Sequence, residues 1–212
     1  MTPGQIDLIV KIYPDGVNSQ VFEALTVGDS IGISGPWPPG KKRARRLPGK
    51  AVNLVVFGVG ITEAIEVAKA ELVQDDAETV TLLYANRYRD DVFFKDELGA
   101  LGGRHRGRFR VVHLYSREDV IGEGEQKGRV TAEVLQQVFE LPTSADQPGH
   151  SDQRFVVPGS KQMIRDTWEK HLKVFDYNRE DHSLLLIELF VGSKERSQKT
   201  YKALEKNKNM SP

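Results

Sequence analysis

Residues Val52 to Val73 constrain this chain more than any other stretch. The run Val52 to Phe57 is short and apolar on both faces, the pattern of a strand buried on both sides in a parallel sheet. Gly58 and Gly60 follow, and Thr62 stands where a helix should begin. Ile61, Ile65, Ala68 and Leu72 then recur at helical spacing. The spacing predicts a strand, a glycine turn and a helix. Such a turn suits a phosphate or a flat cofactor. Glycine lets the backbone come close, and the first helical turn presents unpaired N–H groups and the positive end of the helix dipole. An ordinary α/β crossover has the same outline, and Gly58 to Glu63 lacks the three-glycine dinucleotide fingerprint. The stretch alone leaves both readings open.

Upstream, Ile6 to Tyr13 has strand composition, and Pro14-Asp15-Gly16 signals a turn. Asn18-Ser19 reads as a helix cap before Val21, Phe22, Ala24 and Leu25. Ser30 to Ser34 reads as another short strand, and this opening is too small to close a core alone. Pro36 to Lys50 is a loop with a basic burst at Lys41, Lys42, Arg43, Arg45 and Arg46. It reads either as a solvated loop or as a patch for an acidic partner. Downstream, Thr79 to Ala85 and Phe109 to Tyr115 read as buried strands, with Asp90 or Asp91 capping a helix through Leu101 between them. Gly102 to Gly107 reads as a basic linker and Ser116 to Arg129 as polar loop. Thr131 caps a helix over Ala132 to Phe139. Arg154 to Val157 is a short strand ending in Pro158-Gly159-Ser160, followed by a helix through Met163, Ile164, Trp168 and Leu172. His182 to Phe190 is the last strand, and Val191 to Pro212 is a lysine-rich polar tail.

Strands alternating with helices at this spacing predict an α/β fold: a Rossmann-like parallel sheet of about five strands with helices on both faces. Ligands in such sheets bind beyond the carboxyl ends of the strands. Gly58 to Thr62, Asn86 to Asp91, Ser116 to Arg117 and Pro158 to Met163 are so placed. No Ser/His/Asp set, paired-carboxylate motif or P-loop lysine lies among them. The expected ligand is therefore a cofactor or nucleotide that carries the hard chemistry itself. Lysine plus arginine equals aspartate plus glutamate at 30 each, so no global field points to nucleic acid or to a membrane surface. The chain has no cysteine, which excludes disulfides, thiolate ligands and a cysteine nucleophile. Its five histidines form no pair at helical metal-binding spacing, and no metal site is expected. With no apolar stretch of membrane-spanning length and no signal-peptide pattern, the expected location is the cytoplasm or an organelle matrix.

The order of these pieces resembles the ferredoxin reductase superfamily, most closely its NADH–cytochrome b5 reductase branch. The resemblance is carried by residues 6–13, the Gly16 to Ser19 turn, Val27-Gly28-Asp29 through Gly35-Pro36, and Gly58-Val59-Gly60-Ile61-Thr62. It continues through Leu82-Leu83-Tyr84-Ala85-Asn86, Gly128-Arg129-Val130, Pro158-Gly159 with Met163-Ile164, and Glu188-Leu189-Phe190. It implies a flavin-binding β-barrel, here a partial remnant over residues 1–50, an NAD(H)-binding domain over 51–190 and a tail over 191–212. It also implies hydride transfer from NADH to FAD, then electrons to an acceptor protein bearing haem or an iron–sulfur centre. Gly16, Val17, Asn18 and Ser19 resemble the turn that holds the FAD pyrophosphate. Lys11 resembles the strand lysine linked to nicotinamide-nucleotide binding, with Tyr13 beside it among the cofactor-binding positions. Gly58, Val59, Gly60, Ile61 and Thr62 resemble the turn that admits the nucleotide. Asn86, Asp90 and Asp91 match the region contacting the adenosine ribose, where an acidic side chain disfavours a 2′-phosphate. Thr62, Pro158 and Gly159 fall at the catalytic centre, with Met163 and Gly159 also on the cofactor.

The chain departs from the family's pattern at three places. The family's Arg-x-Tyr-Ser/Thr motif would precede Met1. Glu63 stands where the family's Gly-x-Gly-Ile-Thr-Pro has proline, and Pro158 where Cys-Gly-Pro-Pro-Pro-Met has cysteine. Two alternatives to a working reductase therefore stay open: a nucleotide-binding module without redox activity, and one half of a two-chain reductase.

Overall fold

The computed structural model describes residues 4, 5, 7–32, 49–142, 151–177 and the strand 184–188. Its contacts divide the chain into two units, Met1–Arg43 with Phe190–Pro212, and Ala44–Leu189.

In the first unit the described residues form one helix, α1 (Val17–Glu23), with Gly16 at its N-cap. A tight turn leads in: the Gly16 N–H donates to the Tyr13 carbonyl at 2.9 Å. The buried Ser19 hydroxyl then closes the turn from inside the helix, accepting the Tyr13 N–H at 3.0 Å and donating to the Gly16 carbonyl at 3.0 Å. A Cβ on Gly16 would sit 2.4 Å from that hydroxyl, so the position takes glycine for want of room. Ser19 thus acts from within the first turn and does not cap the helix from outside, as Asn18-Ser19 was expected to. The strands expected at Ile6 to Tyr13 and Ser30 to Ser34 show no pairing over 7–13 and 30–32. Strand composition supplies apolar side chains, but a ladder also needs a partner. Leu8, Ile12 and Tyr13 are exposed here. The basic burst at Lys41 to Arg46 and the tail after Glu188 lie outside the described residues.

The second unit is built on one sheet. Its strands are β1 (Ala51–Phe57), β2 (Thr79–Asn86), β3 (Phe109–Tyr115), β4 (Glu125–Lys127), β5 (Gln153–Gly159) and β6 (Leu184–Glu188). Their order is β4-β3-β2-β1-β5-β6, and every pairing is parallel. The chain runs outward from β1 to β4, then crosses back to lay β5 on the other side of β1. That reversal puts a crevice at the carboxyl ends of β1 and β5.

Alternation along the strands fills two cores. Val52, Leu54 and Val56 of β1 face the helices α2 (Ile61–Leu72) and α3 (Lys95–Arg104), meeting Ile61, Ala64, Ile65, Ala68, Leu72, Leu98 and Leu101. Val55 of β1 and Phe155 and Val157 of β5 face α4 (Ala132–Phe139) and α5 (Lys161–Asp166), meeting Leu135, Val138 and Ile164. Both faces are covered, which is why β1 is apolar on both sides apart from Asn53, whose Nδ2 donates to the Gln153 Oε1 at 2.6 Å. Each fully buried Ile or Leu of α2 contributes about 1.5–3 kcal/mol to holding the helix on the sheet. A buried ion pair, Arg154 of β5 with Glu71 of α2, ties the same helix down.

Four boundaries differ from the sequence reading. β4 falls inside the expected polar loop, making the sheet six strands. It is only three residues long, too short for any periodicity, and is pinned because the Arg89 guanidinium bonds both Glu125 oxygens at 3.0 and 2.5 Å. α3 begins at Lys95 because Phe94 is left-handed (φ 59°) and Val92 extended, so the chain is not helical before it. Asp91 therefore caps the short 3-10 turn Arg89–Asp91, accepting the Tyr88 N–H at 3.2 Å. Gly102 and Gly103 belong to α3, which runs on to Arg104. α5 is short, and Thr167–Leu172 continues it as a wider π-type turn. The helix over Ala132–Phe139 forms as expected, with the Thr131 hydroxyl accepting the Val134 N–H at 3.3 Å.

Candidate nucleotide site at the carboxyl ends of the strands

The glycine turn after β1 is a 3-10 turn, Gly58–Gly60, leading directly into α2. Gly58 has φ +49°, a left-handed conformation that glycine takes at no steric cost. Gly60 has an ordinary φ, but a Cβ there would lie 2.9 Å from the Pro158 carbonyl oxygen. The turn is thus packed backbone to backbone against the end of β5. Thr62 is the second residue of α2, and its hydroxyl donates to the Val59 carbonyl at 3.0 Å, closing the turn. Ile61 is fully buried under it and anchors the helix start in the core.

On the β5 side, the Ser160 hydroxyl caps α5 by accepting the Met163 N–H at 3.5 Å. Gly159 faces Phe57 and Met163: a Cβ there would lie 3.6 Å from Phe57 Cδ2 and 3.9 Å from Met163 Cβ. Met163 itself is exposed. The structure therefore brings together Gly58, Val59, Gly60, Ile61, Thr62, Pro158, Gly159 and Met163 at one crevice.

On the β2 side, the Asn86 side chain is buried, and its amide lies beside the Tyr84 hydroxyl without closing a well-formed hydrogen bond to any described residue. A buried orphan amide is costly unless something else meets it. The Ser116 N–H donates to the Asn86 carbonyl at 3.1 Å, and the Arg117 N–H to the Arg87 carbonyl at 3.0 Å. Arg87 and Arg117, both exposed, thus stand at the ends of neighbouring strands. Asp90 is exposed, whereas Asp91 is committed to its own turn. Lys11, Tyr13, Gly16, Val17, Asn18 and Ser19 belong to the first unit. There Tyr13, Gly16 and Ser19 form the closed turn described above, and Lys11 is half-buried.

The electrostatics of the site are uneven. Glu63, in the first turn of α2, is half-buried, and its Oε2 has no partner among the described residues. Burial raises its carboxyl above the ordinary range. Glu125, by contrast, is held down to about 2, first by the Arg89 guanidinium and then by the Gly122 N–H. Tyr115, beneath the Arg89 guanidinium, is pushed up to about 12 by burial and then by the Glu125 charge.

The sequence reading missed three contributors. Tyr84, fully buried in β2, donates its hydroxyl to the Gly58 carbonyl at 3.0 Å. Its one signal in sequence is a phenol inside an aliphatic strand. Arg87 falls within the expected segment Asn86 to Asp91 but has no role of its own there, because nothing in the chain order shows that it stands beside Arg117. Phe57 read as the end of a core strand, yet its ring lies against Gly159.

The family model for the oxidoreductase NAD-binding domain matches residues 54–169, more than half of the chain, and that for the oxidoreductase FAD-binding domain matches residues 1–40. NADH–cytochrome b5 reductase 1 of Arabidopsis thaliana is 32% identical over 144 residues, covering 66% of this chain and 50% of the relative. NADH-cytochrome b5 reductase 2 of Aspergillus oryzae is 29% identical over 185 residues, covering 84% of this chain and 56% of the relative. The chain thus spans about half the length of the curated relatives it matches. In fold it is similar to the cytochrome b5 reductase domain of Ulva prolifera nitrate reductase, with TM-score 0.63 and 24% identity over 83% of this chain and 69% of that one. The parallel sheet, the glycine turn packed on β5 and these matches over both segments lead to one assignment. The chain belongs to the oxidoreductase NAD-binding domain family, in the cytochrome b5 reductase-like part of the ferredoxin reductase superfamily.

Proposed function

We propose that this chain takes part in an NADH-dependent flavin oxidoreductase of the cytochrome b5 reductase type, passing a hydride from NADH to FAD and then electrons to an acceptor protein bearing haem or an iron–sulfur centre. The observation that carries the reading is the crevice where Gly60 backs onto Pro158, in a segment matched by the NAD-binding family. Residues 51–190 would form the nucleotide side, 1–50 the flavin side and 191–212 a tail.

The residues fit such a nucleotide. Gly58 to Gly60 and the first turn of α2 offer backbone N–H groups to a phosphate. The orphan amide of Asn86 offers both a donor and an acceptor to the adenosine half. The Thr62 hydroxyl, donating to Val59, keeps its lone pairs free to accept from the nicotinamide amide. The exposed Arg87 and Arg117 add positive charge to the corner where Asp90 was expected to disfavour a 2′-phosphate, so the choice of NADH over NADPH rests on Asp90 alone. For the flavin, the first N–H groups of α1 at Val17, Asn18 and Ser19 have no intrahelical partner and suit a pyrophosphate. When bound, FAD supplies the conversion of a two-electron donor into one-electron steps. The chain's own work is to hold the nicotinamide beside Gly159 and Met163 and to keep water from the apolar Phe57 side.

One observation favours the second reading, a nucleotide-binding module without redox activity. Pro158, whose carbonyl lies against Gly60 at the crevice, stands where the family's pattern has a cysteine. The absorption spectrum decides between them, taken before and after incubation with FAD and desalting. A retained flavin spectrum that bleaches anaerobically with NADH supports the reductase. No retained flavin, with NADH still bound, supports the module.

A further inference from the structure

We infer that Tyr84 is a positioning residue for the nucleotide turn, one that sets the Gly58–Val59 peptide so that the Val59 N–H is offered to a nucleotide phosphate. The inference rests on the proposed nucleotide site and names a residue that acts through the turn.

Tyr84 lies in β2, which pairs with the whole length of β1. Val56 pairs with Tyr84 and Phe57 with Ala85, so the phenol reaches past the end of β1 toward the turn. Its ring is fully buried among the α2-side core, yet its hydroxyl has two hydrogen-bond partners in the main chain, with the Asn86 amide beside it. It donates to the Gly58 carbonyl at 3.0 Å and accepts the Phe93 N–H at 3.4 Å. One oxygen therefore joins the turn after β1 to the loop after β2, which leads into α3.

Both partners need such a tie. Gly58 is in a left-handed conformation (φ 49°) that no Cβ fixes, and its carbonyl, which also accepts the Ile61 N–H, takes from Tyr84 the second bond that sets the peptide. Phe94, next to Phe93, is also left-handed (φ 59°), which costs energy for a residue with a Cβ. Because the peptide is planar and trans, its carbonyl and N–H point in opposite directions. Drawing the Gly58 carbonyl inward to Tyr84 turns the Val59 N–H away from that phenol, toward the open side of the turn. Burial raises the phenol's pKa, so it remains a donor at neutral pH. Phenylalanine at this position keeps the ring and its packing and loses only the tie.

The test uses the chain without flavin, titrated with NADH by isothermal calorimetry, beside Tyr84→Phe and the control Val112→Ala. Val112 is buried on the opposite face of the sheet and touches no part of the turn, so it reports general destabilisation alone. Tyr84→Phe is expected to weaken NADH by about three- to tenfold, the order of one net hydrogen bond, while Val112→Ala leaves affinity unchanged. In the wild type the Val59 amide resonance should shift on adding NADH, and in Tyr84→Phe it should already be displaced without it. Wild-type affinity in Tyr84→Phe, or a Val59 amide that does not respond to NADH in a wild type that binds it, overturns this inference and leaves the nucleotide site standing. A wild type that does not bind NADH overturns both.

Discussion

Gly60 and Pro158 meet backbone to backbone: a methyl group on Gly60 would lie 2.9 Å from the Pro158 carbonyl oxygen and 3.3 Å from its carbonyl carbon. The obstacle is main chain at the end of a buried strand, so it cannot rotate away. Gly60→Ala should therefore push the turn off β5. We expect a stability loss of about 1–3 kcal/mol, the usual cost of overpacking, and a larger proportional loss of NADH affinity than of stability. Urea unfolding beside a calorimetric titration checks both. Unchanged NADH affinity would show that the close approach is packing alone.

Glu63 should make nucleotide binding depend on pH. Its carboxyl is raised by burial, so it gains a proton at a higher pH than an exposed glutamate does. The neutral form does not repel a phosphate and the charged form does. NADH affinity should therefore rise as pH falls through the raised pKa of Glu63. Glu63→Gln should bind more tightly than the wild type at pH 8, where Glu63 is charged, and show a flatter pH profile. Parallel profiles for the two proteins would remove Glu63 from the site.

Arg154 and Glu71 hold α2 against β5 from inside the core, Arg154 being 1% exposed and Glu71 8%. Arg154→Met leaves a buried carboxylate without this counter-ion, and a loss of about 3–5 kcal/mol is expected. The double substitution Arg154→Met with Glu71→Leu should lose less than the sum of the single ones. Denaturant midpoints for the four proteins of this cycle measure the coupling, and strict additivity would mean that the two side chains act independently.

The Arg89–Glu125 pair should appear as acid sensitivity of the sheet edge. Glu125 titrates at about 2, below the ordinary carboxylate range, because Arg89 and the Gly122 N–H favour its charged form. A lowered folded-state pKa contributes stability that is complete above the unfolded value, near 4.3, and is lost as pH falls toward 2. The effect is modest, since the Arg89 side chain is 41% exposed. Urea midpoints at pH 7, 4 and 3 should fall more steeply in the wild type than in Glu125→Gln. Equal slopes would mean that the pair leaves the edge strand unaffected.

The sheet was legible because its strands are buried on both faces. Val52 to Phe57 is apolar apart from Asn53, Thr79 to Ala85 apart from its threonines and Phe109 to Tyr115 apart from Arg110 and His113, the composition of strands in a covered parallel sheet. β4 was not legible, because Glu125-Gln126-Lys127 has no apolar pattern and is placed by a guanidinium from another loop. The start of α3 was misplaced for a similar reason. Asp90 and Asp91 look like caps, and nothing local reveals that Phe94 takes a left-handed conformation.

By itself the sequence determined the strand–turn–helix at Val52 to Leu72, the alternation that makes the fold α/β, and the glycines that the turn requires. These are local properties, set by side-chain periodicity and by backbone freedom at single residues. Only the tertiary structure decided what the turn touches. The contact of Gly60 with Pro158 arises because the chain reverses its strand order at β1, whereas the tie from Tyr84 to Gly58 and the nearness of Arg87 to Arg117 follow from the pairing of β2 with β1 and with β3. Strand order is a property of long-range pairing, and it places residues nearly a hundred positions apart at one crevice without leaving a trace in the spacing of either.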